Sequence, residues 1–475
     1  MKYDIIITGT GFASSFFLKK YLEKNNSKKV LVLERGHFIP NSERQKITRG
    51  IPSEYEKLDI PYGTTFINHH PEKAWRYTAG FGGASNCWWG CTPRFMPADF
   101  KLKSLYGVAE DWPVEYDELD PYYSEAEEMM QVSGPDETPF PKKTKYPQPP
   151  HLLAPPDKVL HEKYGTLYIS QPAARARHRT GKRNQCIASS VCDSCPVDAK
   201  FTIENSGMTI YENENVEIIY GAQVYSLAIE NNTAKKVHYV KDGKEAVAEG
   251  EVFVLGANPF FNTNILLNSG DNNPFTGRGF GEQLGIQALI ELDGMNNKGG
   301  STWVNGNGYM LYDGNHRKDY AACLIETNNA PYIRLEQDKW YNIMSFRLVF
   351  EDLPQHDNYI TNSKNKLVPE VFYKAGRSQY ALKAFEETKK KLPHILDCLP
   401  VEKIKYLDPF ANEGHIIGGT RMGTSEKNSV IDKHLVHHRF RNVIVLGAGA
   451  YTTYSPSNPT LTLAALSLFS ADKNF

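Results

Sequence analysis

A chain of 475 residues exceeds what one hydrophobic core usually supports, so two interleaved domains are expected. Apolar residues at 40% and charged residues at 23% are ordinary for a globular protein, and a net charge of -1 gives no electrostatic reason for a nucleic-acid or anionic-membrane partner. No run of about 18 apolar residues predicts a membrane-spanning helix, and Met1-Lys2-Tyr3-Asp4 leads straight into an apolar segment without the pattern of a cleavable signal. A cytoplasmic protein is the simplest expectation, although export as the passenger of another subunit would leave the same sequence.

Asp4 to Thr8 reads as a short strand buried on both faces of a parallel sheet. Gly9-Thr10-Gly11-Phe12-Ala13-Ser14 follows, then a helical stretch from Phe16 to Lys24 and a second strand, Val30 to Leu33, that ends in Glu34-Arg35. Strand, glycine turn, helix, strand and acid in this order predict a dinucleotide site. Gly9 allows the tight turn, Gly11 lets backbone approach a pyrophosphate, and the helix start supplies amide donors. Glu34 is placed to accept ribose hydroxyls and to repel a 2′-phosphate. Ser14 stands where the third glycine of the pattern is usual.

Further on, Gly82-Gly83-Ala84-Ser85-Asn86-Cys87-Trp88-Trp89-Gly90 continues through Pro93-Arg94-Phe95 to Pro97-Ala98-Asp99-Phe100. The window 133–156 is Pro-rich and reads as an excursion or lid. Seven cysteines do not suggest a disulfide framework, and Cys186, Cys192 and Cys195 fall within ten residues. Three thiolates so spaced suit an iron–sulfur cluster; zinc with His178, or a loop without metal, are the alternatives. Val252 to Leu255 followed by Gly256-Ala257-Asn258-Pro259 is a further strand and turn. Asn307 to Leu311, Tyr320 to Glu326, Tyr332 to Glu336 and Trp340 to Phe350 read as strands of a second sheet, in which Tyr332, Trp340 and Tyr341 are candidates to stack on a sugar. The C-terminal region holds His415-Ile-Ile-Gly-Gly-Thr-Arg421-Met-Gly423 and a histidine group, His434, His437 and His438, expected to be solvated. It continues with Asn442 to Gly449, which contains a strand, and Ser455-Pro-Ser-Asn458-Pro459-Thr460, where a helix is expected to start.

These motifs, in this order, resemble the glucose–methanol–choline (GMC) family of FAD oxidoreductases. The likeness is strongest to the branch of bacterial gluconate, glucose and fructose dehydrogenase catalytic subunits and glucoside 3-dehydrogenases, and to pyranose oxidases. The resemblance implies an α/β fold, with a Rossmann-like FAD-binding domain assembled from residues 1–130, 200–284 and 405–475. It also implies an excursion at 131–199 and an α+β substrate domain on an antiparallel sheet at 285–404. It assigns Gly9, Gly11, Phe12, Ala13, Glu34, Arg35, Gly83, Ser85, Asn86, Cys87, Trp88, Val224, Gly256, Gly447, Ala448, Asn458, Pro459 and Thr460 to the flavin. Cys87 stands where some members attach the flavin covalently, with simple contact as the alternative. His415 is implied as the base and Asn458 as its partner on the substrate hydroxyl. Some relatives carry a three-iron cluster at a similar cysteine trio, which would favour a cytochrome or quinone as electron acceptor. The function implied is hydride transfer from the CH–OH group of a sugar or polyol to flavin. An oxygen-using oxidase and a lyase or structural flavoprotein are the competing readings.

Overall fold

The computed structural model describes residues 2–61, 64–329 and 332–475. In chain order the elements that place the site are β1 (Lys2–Thr8), α1 (Phe12–Asn25), β2 (Val30–Glu34), α2 (Tyr116–Met130), β3 (Tyr168–Ser170), β4 (Val216–Tyr220), β5 (Ala222–Glu230), β6 (Thr233–Lys241), β7 (Lys244–Leu255) and α3 (Pro259–Asn268). They continue with β8 (Leu284–Leu292), β9 (Val304–Gly308), β10 (Cys323–Asn328), β11 (Ile343–Phe350), α4 (Gln379–Ile395), β12 (Val401–Tyr406), β13 (Val443–Val445) and α5 (Thr460–Asn474).

Two large sheets organise the chain. The first is seven-stranded, in the order β4-β2-β1-β7-β6-β5, with β13 also paired to β7. β1 pairs in parallel with β2 and with the C-terminal half of β7, and β13 adds in parallel to the same end of β7. The buried run of Ile5, Ile6 and Ile7 and the fully buried β2 have the continuous apolar character that a sheet covered on both faces requires. Helices α1 and α5 cover it and touch each other.

The second sheet is six-stranded, in the order β12-β8-β11-β10-β9-β3, and its strands pair antiparallel throughout the described residues. Alternation decides its two faces. Ile286, Ala288 and Ile290 of β8, Ile325 of β10, and Met344, Phe346 and Leu348 of β11 point into one core with Ala381, Ala384 and Leu392 of α4. The intervening residues, Gln287, Glu326 and Arg347 among them, point the other way. A small sheet joins Ile67–Asn68, Asn358–Thr361 and Glu370–Tyr373.

The sequence reading placed most elements and missed some. β7 is longer than Val252 to Leu255 because its first half pairs antiparallel with β6. Residues 332–336 form no strand: Leu335 is fully exposed and Arg334 instead binds Glu336 and Glu402. Trp340 and Tyr341 are exposed. No helix among the described residues is long and apolar enough to cross a membrane.

Candidate active site

The carboxyl ends of β1, β7 and β13 each run into a glycine turn, at Gly9, Gly256 and Gly447. Gly9 has φ +83° and Gly447 φ +99°, conformations that L side chains rarely adopt. Gly256 is required for a different reason: an added Cβ would lie 1.9 Å from Ser14 Oγ. Ser14 therefore works in place of a third glycine because its hydroxyl donates to Thr8 O at 3.1 Å and sits on a residue without a side chain. Gly83 closes against the same turn, its Cβ position lying 3.2 Å from Gly11 Cα, and Phe12 meets Trp88 edge-on at 4.7 Å. Residues of the two N-terminal motifs are thus in contact.

A dinucleotide fits this arrangement on two observations. The helices that start at Phe12 and Thr460 have no side-chain cap on their first amides, whereas α3 is capped by the Asn258 side chain. Uncapped helix starts favour an anionic ligand. Around the same turns, Arg35 Nη1, Asn262 Oδ1, Thr263 Oγ1 and Thr420 Oγ1 are buried without partners. Buried polar atoms of this kind call for a polar ligand. Glu34 is more committed than its sequence position implies: Oε2 accepts from Thr10 N and Oγ1 (3.0 and 2.8 Å), and Oε1 from Gly36 N and Gly80 N (2.9 and 3.2 Å). It ties the glycine turn to the 80s segment, and a ribose hydroxyl reaching it must displace one of these donors. Arg35 lies over Phe261 at 4.2 Å, and Val224 is buried in β5. Ser85 Oγ accepts from Ile203 N at 3.1 Å, and Asn86 Oδ1 is buried and unpartnered. Cys87 is exposed, 3.0 Å from Thr78 Oγ1, on a hollow also lined by His37, Arg44, Phe81 and Asn86.

The outward face of the antiparallel sheet meets the C-terminal motifs. Register places Asn307, Glu326, Arg347 and Gln287 in one row across β9, β10, β11 and β8. Gln171 spans Asn307 Oδ1 (3.1 Å) and Glu326 Oε1 (3.0 Å), and its own carbonyl accepts from the buried Arg175 at 2.9 Å. Arg347 holds Glu413 Oε2, with Nε at 3.1 Å and Nη2 also bonded, while Glu413 Oε1 has no partner. Gly285 makes room for that carboxylate, since a Cβ there would meet Glu413 Oε1 at 1.8 Å. Trp89 lies under the Arg347 guanidinium at 5.1 Å and against Trp303 at 4.4 Å. A buried row of acceptors and donors on a sheet face is costly unless each group is answered, and here Gln171, Ser345 and Glu413 answer much of it.

His415 and Asn458 are brought to this row from two separate segments. His415 Nδ1 lies 3.1 Å from Gln283 Oε1, and Nε2 makes no hydrogen bond among the described residues. Burial, then the Arg347 charge, hold the imidazole down at about 3, so it is neutral across the physiological range. Asn458 does not cap α5. Its side chain lies beside Glu326, and Oδ1 is buried and unpartnered. Burial holds the Glu326 carboxyl above its usual range, against the pull of Arg347. Sequence reasoning missed Gln171, Gln283, Glu326, Arg347 and Glu413.

Two expectations change. His437 is not solvated: it is 1% exposed, with Nε2 3.3 Å from Asp271 Oδ2 and Nδ1 accepting from Arg439 N and Phe440 N. His438 meets Ser429 Oγ at 2.8 Å. The cysteine trio does not fit a cluster as it stands, because no three His, Cys, Asp or Glu side chains among the described residues converge as metal ligands. Cys186 Sγ contacts Thr302 Oγ1 at 3.5 Å, Cys195 Sγ accepts from Ala199 N at 3.3 Å, and burial pushes the Cys192 thiol up to about 12. Lys200 lies near this loop, its ammonium donating to Asn86 O (3.0 Å) and Trp88 O (2.8 Å), and burial lowers it to about 8.

Residues 367–467 match the family model described as GMC oxidoreductase. The chain is 27% identical to the fructose dehydrogenase large subunit of Gluconobacter japonicus over 99% of this chain and 97% of that one. It is 22% identical to the gluconate 2-dehydrogenase flavoprotein of Pantoea cypripedii, covering 99% and 93%. Pyridoxine 4-oxidase from Mesorbium loti superposes with a TM-score of 0.67 at 15% identity, over 99% of both chains. With a GMC oxidoreductase C-terminal domain matched at residues 367–467 and dehydrogenase relatives that run its full length, the chain is an oxidoreductase that resembles the GMC family from end to end.

Proposed function

We propose that the chain binds FAD at the three glycine turns and oxidises a CH–OH group of a sugar or polyol, with His415 as the base. When bound, FAD supplies the hydride acceptor. The remaining work falls to the protein. As the C–H hydride leaves, the hydroxyl proton passes to His415 Nε2, and the C–O bond becomes a carbonyl. A neutral imidazole with a free lone pair meets that need. Asn458 Oδ1, unpartnered and facing the same row, accepts from or aligns the substrate hydroxyl. The single observation that carries this reading is the meeting of His415 and Asn458 over the row Asn307–Glu326–Arg347–Gln287. Its alternating acceptors and donors suit a substrate with several adjacent hydroxyls. The full-length relatives named as sugar-acid and sugar dehydrogenases support the same substrate class.

In this reading, residues 1–130, 200–284 and 405–475 form the cofactor domain and 285–404 the substrate domain. The relatives named as dehydrogenases support an electron acceptor other than oxygen. The test is anaerobic mixing of the flavin-loaded protein with D-glucose, D-fructose, D-sorbitol and propan-2-ol, followed by admission of air. Bleaching of the flavin by a polyol, with slow return in air, is the expected result. No bleaching by any alcohol overturns the function, and rapid return in air makes the protein an oxidase.

A further inference from the structure

We infer that Gln283 is the positioning residue of the reaction: it fixes which nitrogen of His415 carries the proton and ties that ring to the segment that presents Asn458. The inference rests on His415 acting as the base. Gln283 is fully buried, one residue before β8. Its side-chain nitrogen lies 2.9 Å from Ser455 O and 3.2 Å from Ser457 O. Two carbonyl oxygens accept only, so the NH2 group must face them and both its hydrogens are spent. Gln283 Oε1 is thereby turned to His415 Nδ1 and acts only as an acceptor. Nδ1 therefore bears the hydrogen, and the lone pair stands on Nε2.

The same amide sets distance as well as tautomer. Ser457 immediately precedes Asn458, so one side chain links base and partner across the 415 and 458 segments. Both ends are anchored. Gly281 and Ile417 exchange N–H···O bonds of 2.9 Å, which holds residues 281–283 against 415–417. Ser455 Oγ donates to Asp99 Oδ2 at 2.9 Å, and the Tyr312 hydroxyl lies 2.9 Å from Ser457 Oγ. Among the charged groups, Arg347 bears directly on His415, with Glu413 and Glu326 beside it. A neutral amide on Nδ1 adds no negative charge to offset Arg347, so the ring stays neutral until substrate arrives. A carboxylate in the same place would raise the imidazole pKa instead.

The experiment compares wild type, Gln283→Met, Gln283→Glu and His415→Ala by anaerobic flavin reduction from pH 5 to 9, using the polyol that bleaches wild type. Flavin content and melting temperature are measured alongside. Gln283→Met is expected to slow the limiting rate at least about tenfold with the half-saturating polyol concentration changed by less than about threefold. Gln283→Glu puts a carboxylate on Nδ1 and is expected to raise the imidazole pKa, so that reduction falls off at the acid end of the range where wild type stays level. Loss of melting temperature and rate in step, with a Gln283→Glu profile as level as that of wild type, overturns the inference and leaves Gln283 a packing residue. Near-native reduction by His415→Ala overturns the base reading itself, whereas a slow His415→Ala beside a native-like Gln283→Met removes Gln283 alone. Histidine nitrogen NMR of the wild-type protein, with His415 assigned by its loss in His415→Ala, reads the tautomer without any variant at Gln283. A proton on Nε2 rather than Nδ1 refutes the assignment.

Discussion

Arg347→Met removes the one cation among the described residues that pairs with Glu413, and the structure sets the size of the effect. Glu413 is 8% exposed, its Oε1 already has no partner, and both hydrogen bonds to Oε2 come from Arg347. The variant therefore leaves a buried carboxylate without a side-chain partner, a change that costs about 3–5 kcal/mol. For a chain this long, unfolding as one unit carries an entropy of about 1 kcal/mol/K, so melting falls by about 3–5 °C at pH 7. The pH dependence has a definite sign. Burial already holds Glu326 above its usual range, and Arg347 is the largest influence pulling it down. Without Arg347 its folded pKa rises further above the unfolded value. A carboxyl with a raised folded pKa is least costly when protonated, so the deficit against wild type grows from pH 5 to pH 8. Thermal melts of wild type, Arg347→Met, Glu413→Gln and the double variant across that range measure both quantities. The double variant is expected to recover part of the loss, because the unpaired charge is gone. A deficit below about 1 °C, or one independent of pH, would refute the reasoning that the row is a coupled buried charge system.

Other outcomes follow from the same geometry. His415→Ala should keep flavin and fold but slow anaerobic reduction by a factor of about 10² to 10⁴, the usual cost of losing a general base; stopped-flow absorbance reads it. Gly256→Ala forces a Cβ to 1.9 Å from Ser14 Oγ and 2.9 Å from Thr8 O, so flavin content and melting temperature should both fall. Ser14→Gly in the same chain should restore part of the loss, and no restoration would show that Thr8, not Ser14, limits the space. Glu34→Ala removes the acceptor for four donors at the glycine turn. Melting temperature should drop even in flavin-free protein, by about 1–3 kcal/mol of stability; an effect confined to flavin affinity would mean that the carboxylate serves the ribose alone.

The first motif was legible because everything that defines it is local: β1, the glycine turn, α1 and β2 lie within 34 residues, and their spacing carries the geometry. The outward row of the second sheet was not legible for the opposite reason. Gln287, Glu326 and Arg347 alternate with apolar neighbours, and a strand with one polar face reads as half exposed to water. Only the covering segments around Glu413, His415 and Asn458, distant in sequence, turn that face inward. His437 escaped notice likewise, because its partner Asp271 lies 166 residues away. The expected strand at 332–336 failed because β-rich composition does not ensure a neighbouring strand with which to pair. Gln283 carries no composition signal at all; its meaning comes from the two carbonyls and one imidazole around it.

Strand β7 has a consequence for the order in which the protein matures. One half of it pairs with the hairpin partner β6, made moments earlier during synthesis. The other half is enclosed by β1, about 250 residues upstream, and by β13, nearly 190 residues downstream. Local pairing can form on emergence from the ribosome, whereas the parallel half closes only after β13 has been made. The Gly447 turn and the helix beginning at Thr460 arrive later still, so the three turns assemble only once that helix has been made. Nascent chains stopped before residue 443 should hold a protease-resistant antiparallel sheet yet retain no flavin.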